Sequence, residues 1–372
     1  MTTGQASDGS TLQGGAPAAW RSNTTVADAA AWLADRKRVL IITHTKIDGD
    51  AAGTSLALAR ALRLAAMRSP AGTPIVRPLY HGPRPRWASE MIGDTKVRWI
   101  EQEGLPPKDG EWGDPDGIVV VDTGSWSQVE FARPILEGRA DRILVVDHHR
   151  QGDADMGTRL LIDVGAAAAC QPVAAICIAL LGVGRASALP LDVAVPLYLG
   201  VATDTGWFKH ASTDAAVLRL AADLLEAGVD GAALYTMVEQ REQASRLKIL
   251  AKALGSLEYL AGGQASMMTI LMRDIEECRA SPGETGGFLD LAQTVESVRV
   301  AALLTEAPPE GGAGPITKIS LRSKPGPNVV DVNAICRAFG GGGHKQAAGA
   351  RLKVGVEEAR RMVAAAIAEA LK

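Results

Sequence analysis

The residues best suited to chemistry are acids and histidines set at the ends of apolar runs. Val145-Val146-Asp147-His148-His149, reached through Arg142-Ile143-Leu144, places one acid and two imidazoles directly after branched aliphatics. The pattern recurs. Val39-Leu40-Ile41-Ile42-Thr43 ends in His44, followed by Asp48 and Asp50; Ile118-Val119-Val120-Val121 ends in Asp122; Leu197 to Thr203 leads to Asp204. Oxygen and imidazole donors without thiolate suit hard or borderline divalent cations. One such ending is ordinary at a surface strand, but four in one chain point to a shared centre. His44, Asp48, Asp50, Asp122, His148 and Asp204 are therefore the candidate metal ligands. Two divalent cations about 3.5–4 Å apart, the spacing of phosphoryl-transfer sites, need a bridging carboxylate, further ligands and open positions for water and substrate. Four carboxylates against two such cations leave the centre near neutral. It can then accept a phosphate while still acidifying a water to hydroxide for in-line attack.

A second constellation lies near the C-terminus. Gly340-Gly341-Gly342-Gly343-His344-Lys345 can fold tightly around an anion and aim successive N–H groups at it. Arg322-Ser323-Lys324, upstream, adds a guanidinium that can grip phosphate through two parallel hydrogen bonds. A glycine run alone is as readily a flexible loop; the flanking cations favour a binding role. The candidate substrate-binding residues of this constellation are Arg322, Ser323, Gly341, Gly342, Gly343, His344 and Lys345.

These side chains need elements to position them. An apolar run bounded by polar residues reads as a strand buried on both faces of a parallel sheet, and such sheets bind ligands at their carboxyl edge. Strands are expected at Val39, Ile75 to Leu79, Lys96 to Ile100, Ile118 and Ile143, and helices over Val26 to Asp35, after Leu56, before Ile143 and over Cys170 to Leu181. The segment ending at Asp204 reads as strand or helix. Asp48 and Asp50, two apart in a loop with Gly49 between them, can face one point, although Asp50 could instead cap the following helix. Trp207 and Phe208 could wall a pocket or simply pack in the core, and His81 reads as a surface residue.

The fold class is α/β: an N-terminal domain with a mostly parallel sheet flanked by helices, a helical connector and a smaller C-terminal α/β domain. The expected divisions are a mobile tail over 1–24, a catalytic domain over 25–212, a connector over 213–260 and a substrate-binding domain over 261–372. The C-terminal part carries strands near Ser266 to Met272, Val298 to Thr305 and Ile316 to Arg322, and helices near Leu289 to Val295, Val332 to Phe339 and Val356 to Leu371. With 372 residues there is room for two such domains, and 47% hydrophobic with 22% charged residues suits a globular protein. Aromatics make up only 4%, so Ala, Leu, Val and Ile must build the cores, and a net charge of −3 argues against wrapping long nucleic acid. Cys170, Cys177, Cys278 and Cys336 show no zinc-type spacing and read as free thiols. No stretch approaches the roughly 20 apolar residues of a membrane span, and no signal peptide is evident, so a cytoplasmic location is expected.

Taken together, the pattern resembles the DHH phosphoesterase family, in particular its members with a DHH-associated C-terminal domain. Asp147-His148-His149 matches the name-giving motif, His44 with Asp48-Gly49-Asp50 the first, Asp122 the second and Thr203-Asp204-Thr205-Gly206 the fourth; Gly340 to Gly349 matches the C-terminal signature. The resemblance runs from about Arg38 to Ala350. It implies two divalent metal ions, manganese first, with magnesium or cobalt as alternatives. His44, Asp48 and Asp122 would hold one, and Asp50, Asp122, His148 and Asp204 the other, bridged by Asp122. It further implies that Asp122, Asp147, His148 and His149 are the catalytic residues, that Asp147 orients a neighbouring ligand, that His149 contacts the scissile phosphate and so also binds substrate, and that Arg322 and His344 bind the non-reacting end of the substrate. Two departures stand out. Ile47 replaces the usual Pro, which would loosen the first loop. Gly165 to Ala169 replaces the usual Ser or Thr, which removes any hydroxyl contact there.

The expected function is hydrolysis of short oligoribonucleotides and nucleoside bisphosphates such as pAp through a hydroxide activated by the two metals. The expected partners are a short RNA or nucleotide substrate, no membrane, and a second copy in a homodimer. Alternatives are a cyclic- or linear-dinucleotide phosphodiesterase, a RecJ-like exonuclease and a manganese pyrophosphatase. His44 argues against the RecJ type and the Gly-Gly-Gly-His signature against the pyrophosphatase. A nucleotide-binding regulator is the non-enzymatic alternative.

Overall fold

The aliphatic runs at Val39, Ile75, Ile118 and Ile143 stack side by side into one six-stranded sheet. In the computed structural model, which describes residues 19–67, 74–107, 110, 112, 114–309 and 314–372, two compact units divide after Gln240. In the first unit, strands β1 (Arg38–Ile42), β2 (Ile75–Tyr80), β3 (Arg98–Trp99), β4 (Gly117–Val121), β5 (Ile143–Asp147) and β6 (Arg159–Ile162) pair in the order β3-β2-β1-β4-β5-β6. Every pairing is parallel. All residues of β4 and β5 are buried, as a parallel sheet covered on both faces requires. One face lies under the helices Val26–Ala34, Gly49–Met67, Cys170–Leu181 and Leu191–Asp204. The other is closed by Val129, Ala132, Ile135 and Leu136. The strand order reverses between β1 and β4, so their carboxyl ends part and leave a crevice, the usual ligand position in such sheets.

Several local expectations change. The segment ending at Asp204 is a helix, Leu191–Asp204. The helix expected before β5 is reduced to Arg133–Leu136 among single 3₁₀ turns, and the Lys96 to Ile100 strand to Arg98–Trp99. Ile47, which stands where Pro was expected, is 5% exposed and part of the main core, and it follows Lys46, whose φ of 65° is left-handed. Most of the expected tail, 1–18, lies outside the described residues. The rest of that tail is fixed: Asn23 N donates to Leu160 O (2.9 Å), Leu160 N to Asn23 Oδ1 (2.8 Å) and Ile162 N to Ser22 Oγ (2.7 Å), covering the edge of β6.

Helices 49–67 and 191–204 touch through glycines. A Cβ at Gly49 would overlap Thr203, one at Gly53 the Pro196 carbonyl, and one at Gly200 the Cys170 sulfur. This close approach brings the start of one helix, with Asp48 and Asp50, to the end of the other, with Asp204. Pro196 leaves the Asp192 carbonyl without its helical donor, and Arg60 Nη1 supplies one at 2.8 Å. The helices expected as a connector join one unit or the other: Ala215–Glu226 and Gly231–Glu239 pack on the first core, and Ala244–Gly255 on the second.

The second unit is a mixed sheet of β7 (Glu258–Leu260), β8 (Ala265–Ile270), β9 (Val300–Ala307), β10 (Ile316–Ser323), β11 (Gly342–His344) and β12 (Ala347–Leu352), ordered β11-β12-β10-β9-β8-β7. Only β8 and β9 run parallel. Helices Val332–Ala338 and Val356–Ala370 cover one face, and Ala244–Gly255 and Phe288–Ala292 the other. No helix among the described residues is long and apolar enough to cross a membrane. The four cysteines are free and buried.

Candidate metal and catalytic centre

The crevice between β1 and β4 gathers the six expected ligands. His44 leaves β1, Asp122 leaves β4, and His148 follows β5. Asp48 and Asp50 stand at the start of helix 49–67, and Asp204 at the end of helix 191–204. Asp122 sits at the centre with a left-handed φ of 57°, a conformation that Asp tolerates better than most residues. Its Oδ2 lies 3.3 Å from His44 Nε2 and its Oδ1 lies 3.4 Å from His148 Nε2. His44 Nε2 is also 3.6 Å from Asp48 Oδ2, and His148 Nε2 is 3.5 Å from Asp204 Oδ2. Two triads result, His44-Asp48-Asp122 and Asp50-His148-Asp204, in each of which one donor atom per residue lies within 4.8 Å of the others.

Both imidazoles turn the same nitrogen inward. His44 Nδ1 meets the Thr45 carbonyl (3.0 Å) and His148 Nδ1 the Ala166 carbonyl (3.3 Å), which fixes the rings and leaves each Nε2 for the centre. Asp50 is fully buried, and its carboxylate accepts N–H bonds from Ala169 (2.5 Å) and Cys170 (3.0 Å) at the start of helix 170–181. The run Gly165 to Ala169, poor in hydroxyls, thus contributes through its backbone. Asp147 is also fully buried. Its Oδ1 accepts from the His148 and His149 amides (2.8 and 3.3 Å) and meets His149 Nδ1 at 2.7 Å, while its Oδ2 has no hydrogen-bond partner among the described residues. The His149 side chain remains 54% exposed at the mouth of the crevice.

The electrostatics show what the cluster lacks. Burial disfavours the charged imidazole of His44, yet Asp122 and Asp48 raise its pKa to about 11. The same opposition, with Asp122, Asp50 and Asp204 on the raising side, takes His148 to about 9. Burial and Asp122 push Asp204 up to about 6, and burial, Asp122 and Asp204 raise Asp50 well above the usual carboxylate range. Crowded carboxylates hold protons on both imidazoles where cations could instead satisfy them. The donor set and the unpartnered Asp147 oxygen fit divalent cations.

The C-terminal residues form a different arrangement from the expected loop. Gly342–His344 is an edge strand paired antiparallel with β12, Gly342 opposite Gly349 and His344 opposite Ala347. A Cβ at Gly341 would overlap the Gly349 carbonyl, and Gly343 takes φ 151°, so both glycines serve the hairpin. Ala347 also faces Arg322 across β10. Arg322 and His344 thus flank a small residue in one cross-strand row, about 10 Å apart at two strand spacings, on an exposed rim. Lys345 is exposed beside them. Ser323 does not join this rim: it is 4% exposed, and its hydroxyl accepts from Val330 N at 2.9 Å.

His81, expected as a surface residue, and Trp207 and Phe208, expected as pocket wall or core, all find aromatic partners. His81, at the carboxyl end of β2, stacks on Phe131 (centroids 4.5 Å apart) beside the Thr45 hydroxyl. Trp207 and Phe208 pack edge-on against Tyr235 and Tyr198, with φ of 57° and 67° immediately after Asp204. Asp153 joins the loops after β4 and β5, its N–H donating to Gly124 O (2.7 Å) and its carboxylate accepting from Trp126 N (2.7 Å). Of these, Asp153 alone carried no mark in the sequence, since it stands in a loop beside no aliphatic run.

Residues 38–201 match the DHH family N-terminal domain and residues 267–372 the DHHA1 domain. The chain is 29% identical over 339 residues to the bifunctional oligoribonuclease and PAP phosphatase NrnA of Thermus thermophilus, covering 90% of each protein. It is 23% identical over 333 residues to the Mycoplasma pneumoniae protein of the same name, covering 88% of this chain and 92% of that one. A solved structure of an exopolyphosphatase-related protein from Bacteroides fragilis shares the fold, with a TM-score of 0.77 at 21% identity over 92% of this chain and 95% of that one.

Proposed function

Because this chain belongs to the DHH family, we propose that it is a phosphoesterase that hydrolyses short oligoribonucleotides and nucleoside bisphosphates such as pAp with the help of two divalent cations, manganese by preference. The observation that carries the reading is Asp122, whose two oxygens face His44 and His148 in separate donor triads. His44, Asp48 and Asp122 would hold one cation, and Asp50, Asp122, His148 and Asp204 the other. When bound, such cations polarise the phosphoryl group and acidify water.

The chain's own residues do the rest. Asp147 accepts a 2.7 Å hydrogen bond from His149 Nδ1–H and raises the imidazole pKa, which favours the protonated ring and leaves Nε2–H facing outward at the crevice mouth. There it can donate to a phosphoryl oxygen and offset the charge that builds on it. The backbone amides of Ala169 and Cys170 keep the Asp50 carboxylate aimed inward. On the second unit, Arg322 and Lys345 offer positive charge and His344 an imidazole for hydrogen bonding to the non-reacting end of the substrate, and the open face of Gly342 leaves room beside them. The relatives named for both activities support this substrate class. The experiment is a comparison of rates on diribonucleotides, pAp, cyclic dinucleotides and pyrophosphate with Mn²⁺. Fastest release from the first two is expected; turnover confined to pyrophosphate or cyclic dinucleotides would overturn the assignment.

A further inference from the structure

Trp20 lies before the region matched by the family domain, which begins at residue 38, and none of the roles assigned above uses it. Its indole is wedged under the two loops that carry the catalytic residues. A Cβ at Gly124, two residues after Asp122, would overlap the ring, and one at Gly152, three after His149, would come within 2.5 Å of it. Its Nε1–H donates to the His149 carbonyl at 2.9 Å. Both glycines are therefore occupied by one side chain from a distant segment. That segment is held by the bonds of Ser22 and Asn23 to β6, so the indole has a fixed base. Directly beside it, Asp153 N donates to Gly124 O and Trp126 N to the Asp153 carboxylate, knitting the two loops together.

We infer that Trp20 is a positioning residue: a wedge that sets the loop after β4 against the loop after β5 and so fixes where His149 stands relative to Asp122. The ring supplies the spacing and its N–H the orientation of the His149 peptide. Displacement of a reacting group by about 1 Å can lower turnover about a hundredfold, whereas substrate affinity set elsewhere is spared. The inference rests on the proposed phosphoesterase reading for its kinetic arm only.

The test uses the full chain with Trp20→Phe, which keeps a ring but no donor, and Trp20→Ala, which removes both. Amide exchange is followed at Trp126 and Asp153, and kcat and KM are measured on pAp with Mn²⁺. Expected are faster exchange at those two amides with β4 and β5 unchanged, kcat down about tenfold in Trp20→Phe and about a hundredfold in Trp20→Ala, and KM within about twofold of wild type. A lowered melting temperature with wild-type kcat and wild-type exchange in both variants would overturn the inference, leaving Trp20 a packing residue. Trp20→Phe with wild-type kcat would overturn the role of the N–H. If the wild-type protein hydrolyses no phosphoester, the functional reading fails, and the exchange arm alone decides on the wedge.

Discussion

Asp122→Asn is the substitution that most directly tests the centre. The amide matches the carboxylate in shape, and Asn also tolerates the φ of 57° found there, whereas Ala would add a backbone penalty of about 1–2 kcal/mol and confuse the result. The side chain is buried, and its two oxygens point at the two triads, 3.3 and 3.4 Å from His44 Nε2 and His148 Nε2, where a bound cation would replace each imidazole proton as the positive neighbour. At an effective dielectric of about 20, a unit charge at that distance interacts by roughly 5 kcal/mol with each neighbour. Relaxation and the residual amide dipole recover about half, leaving a loss of roughly 4–5 kcal/mol. At 1.36 kcal/mol per factor of ten, that is about a thousandfold or more in kcat/KM. Steady-state phosphate release from pAp with saturating Mn²⁺ measures it, with circular dichroism and a melting curve to confirm folding. A folded Asp122→Asn protein within tenfold of wild type would refute the shared-carboxylate argument.

Other outcomes follow from the same geometry. Cation uptake must displace the protons that Asp122 and its neighbours hold on His148 and His44, whose pKa values stand near 9 and 11, so Mn²⁺ affinity rises with pH between about 7 and 9. Calorimetry in buffers of different ionisation enthalpy reads this as proton release on binding; zero release excludes the imidazoles as ligands. In the cation-free protein the raised histidines stabilise fully below about 6.5, and that contribution fades as pH rises through about 9, so the melting temperature should fall between pH 7 and pH 10. Gly200→Ala places a Cβ on the Cys170 sulfur and 2.7 Å from Asp50 Oδ1, so it should lower stability by about 1–3 kcal/mol and weaken Mn²⁺ binding about tenfold or more. Wild-type melting and titration curves in that variant would contradict the role given to the helix contact. Arg322→Ala should raise KM for pAp about tenfold with kcat within a few-fold, the signature of lost uniform binding, and an unchanged KM would remove Arg322 from substrate recognition.

The strands that end in His44, Asp122 and Asp147 were legible because a parallel strand buried on both faces has an unbroken aliphatic sequence with a definite polar end. Asp204 was recognisable as a candidate but not its element: Leu197 to Thr203 is apolar throughout, and periodicity cannot separate a buried helix from a buried strand. The Gly340 to Gly343 run was visible as a special backbone, but not that two of its glycines are spent on close strand packing. Ser323 looked like a ligand because it neighbours Arg322, yet alternation along a strand turns adjacent residues to opposite faces, and Ser323 faces inward. Trp20 was hidden for another reason. Its partner His149 is 129 positions away, and its surroundings of Gly, Ser and Thr carry no periodic signal.

Asp50 would belong at once to the proposed cation centre and to the start of helix 49–67, whose residues from Gly49 to Ala59 are all buried. Whatever occupies the crevice is therefore linked to the integrity of the whole first unit. A cation at a hundred times its dissociation constant would add about 2.7 kcal/mol, which for a unit of this size is a rise of roughly 5–10 °C in melting temperature. The protein is thus its own thermometer for cation choice: melting curves with manganese, magnesium, cobalt and zinc would rank its preferences without any substrate in the tube.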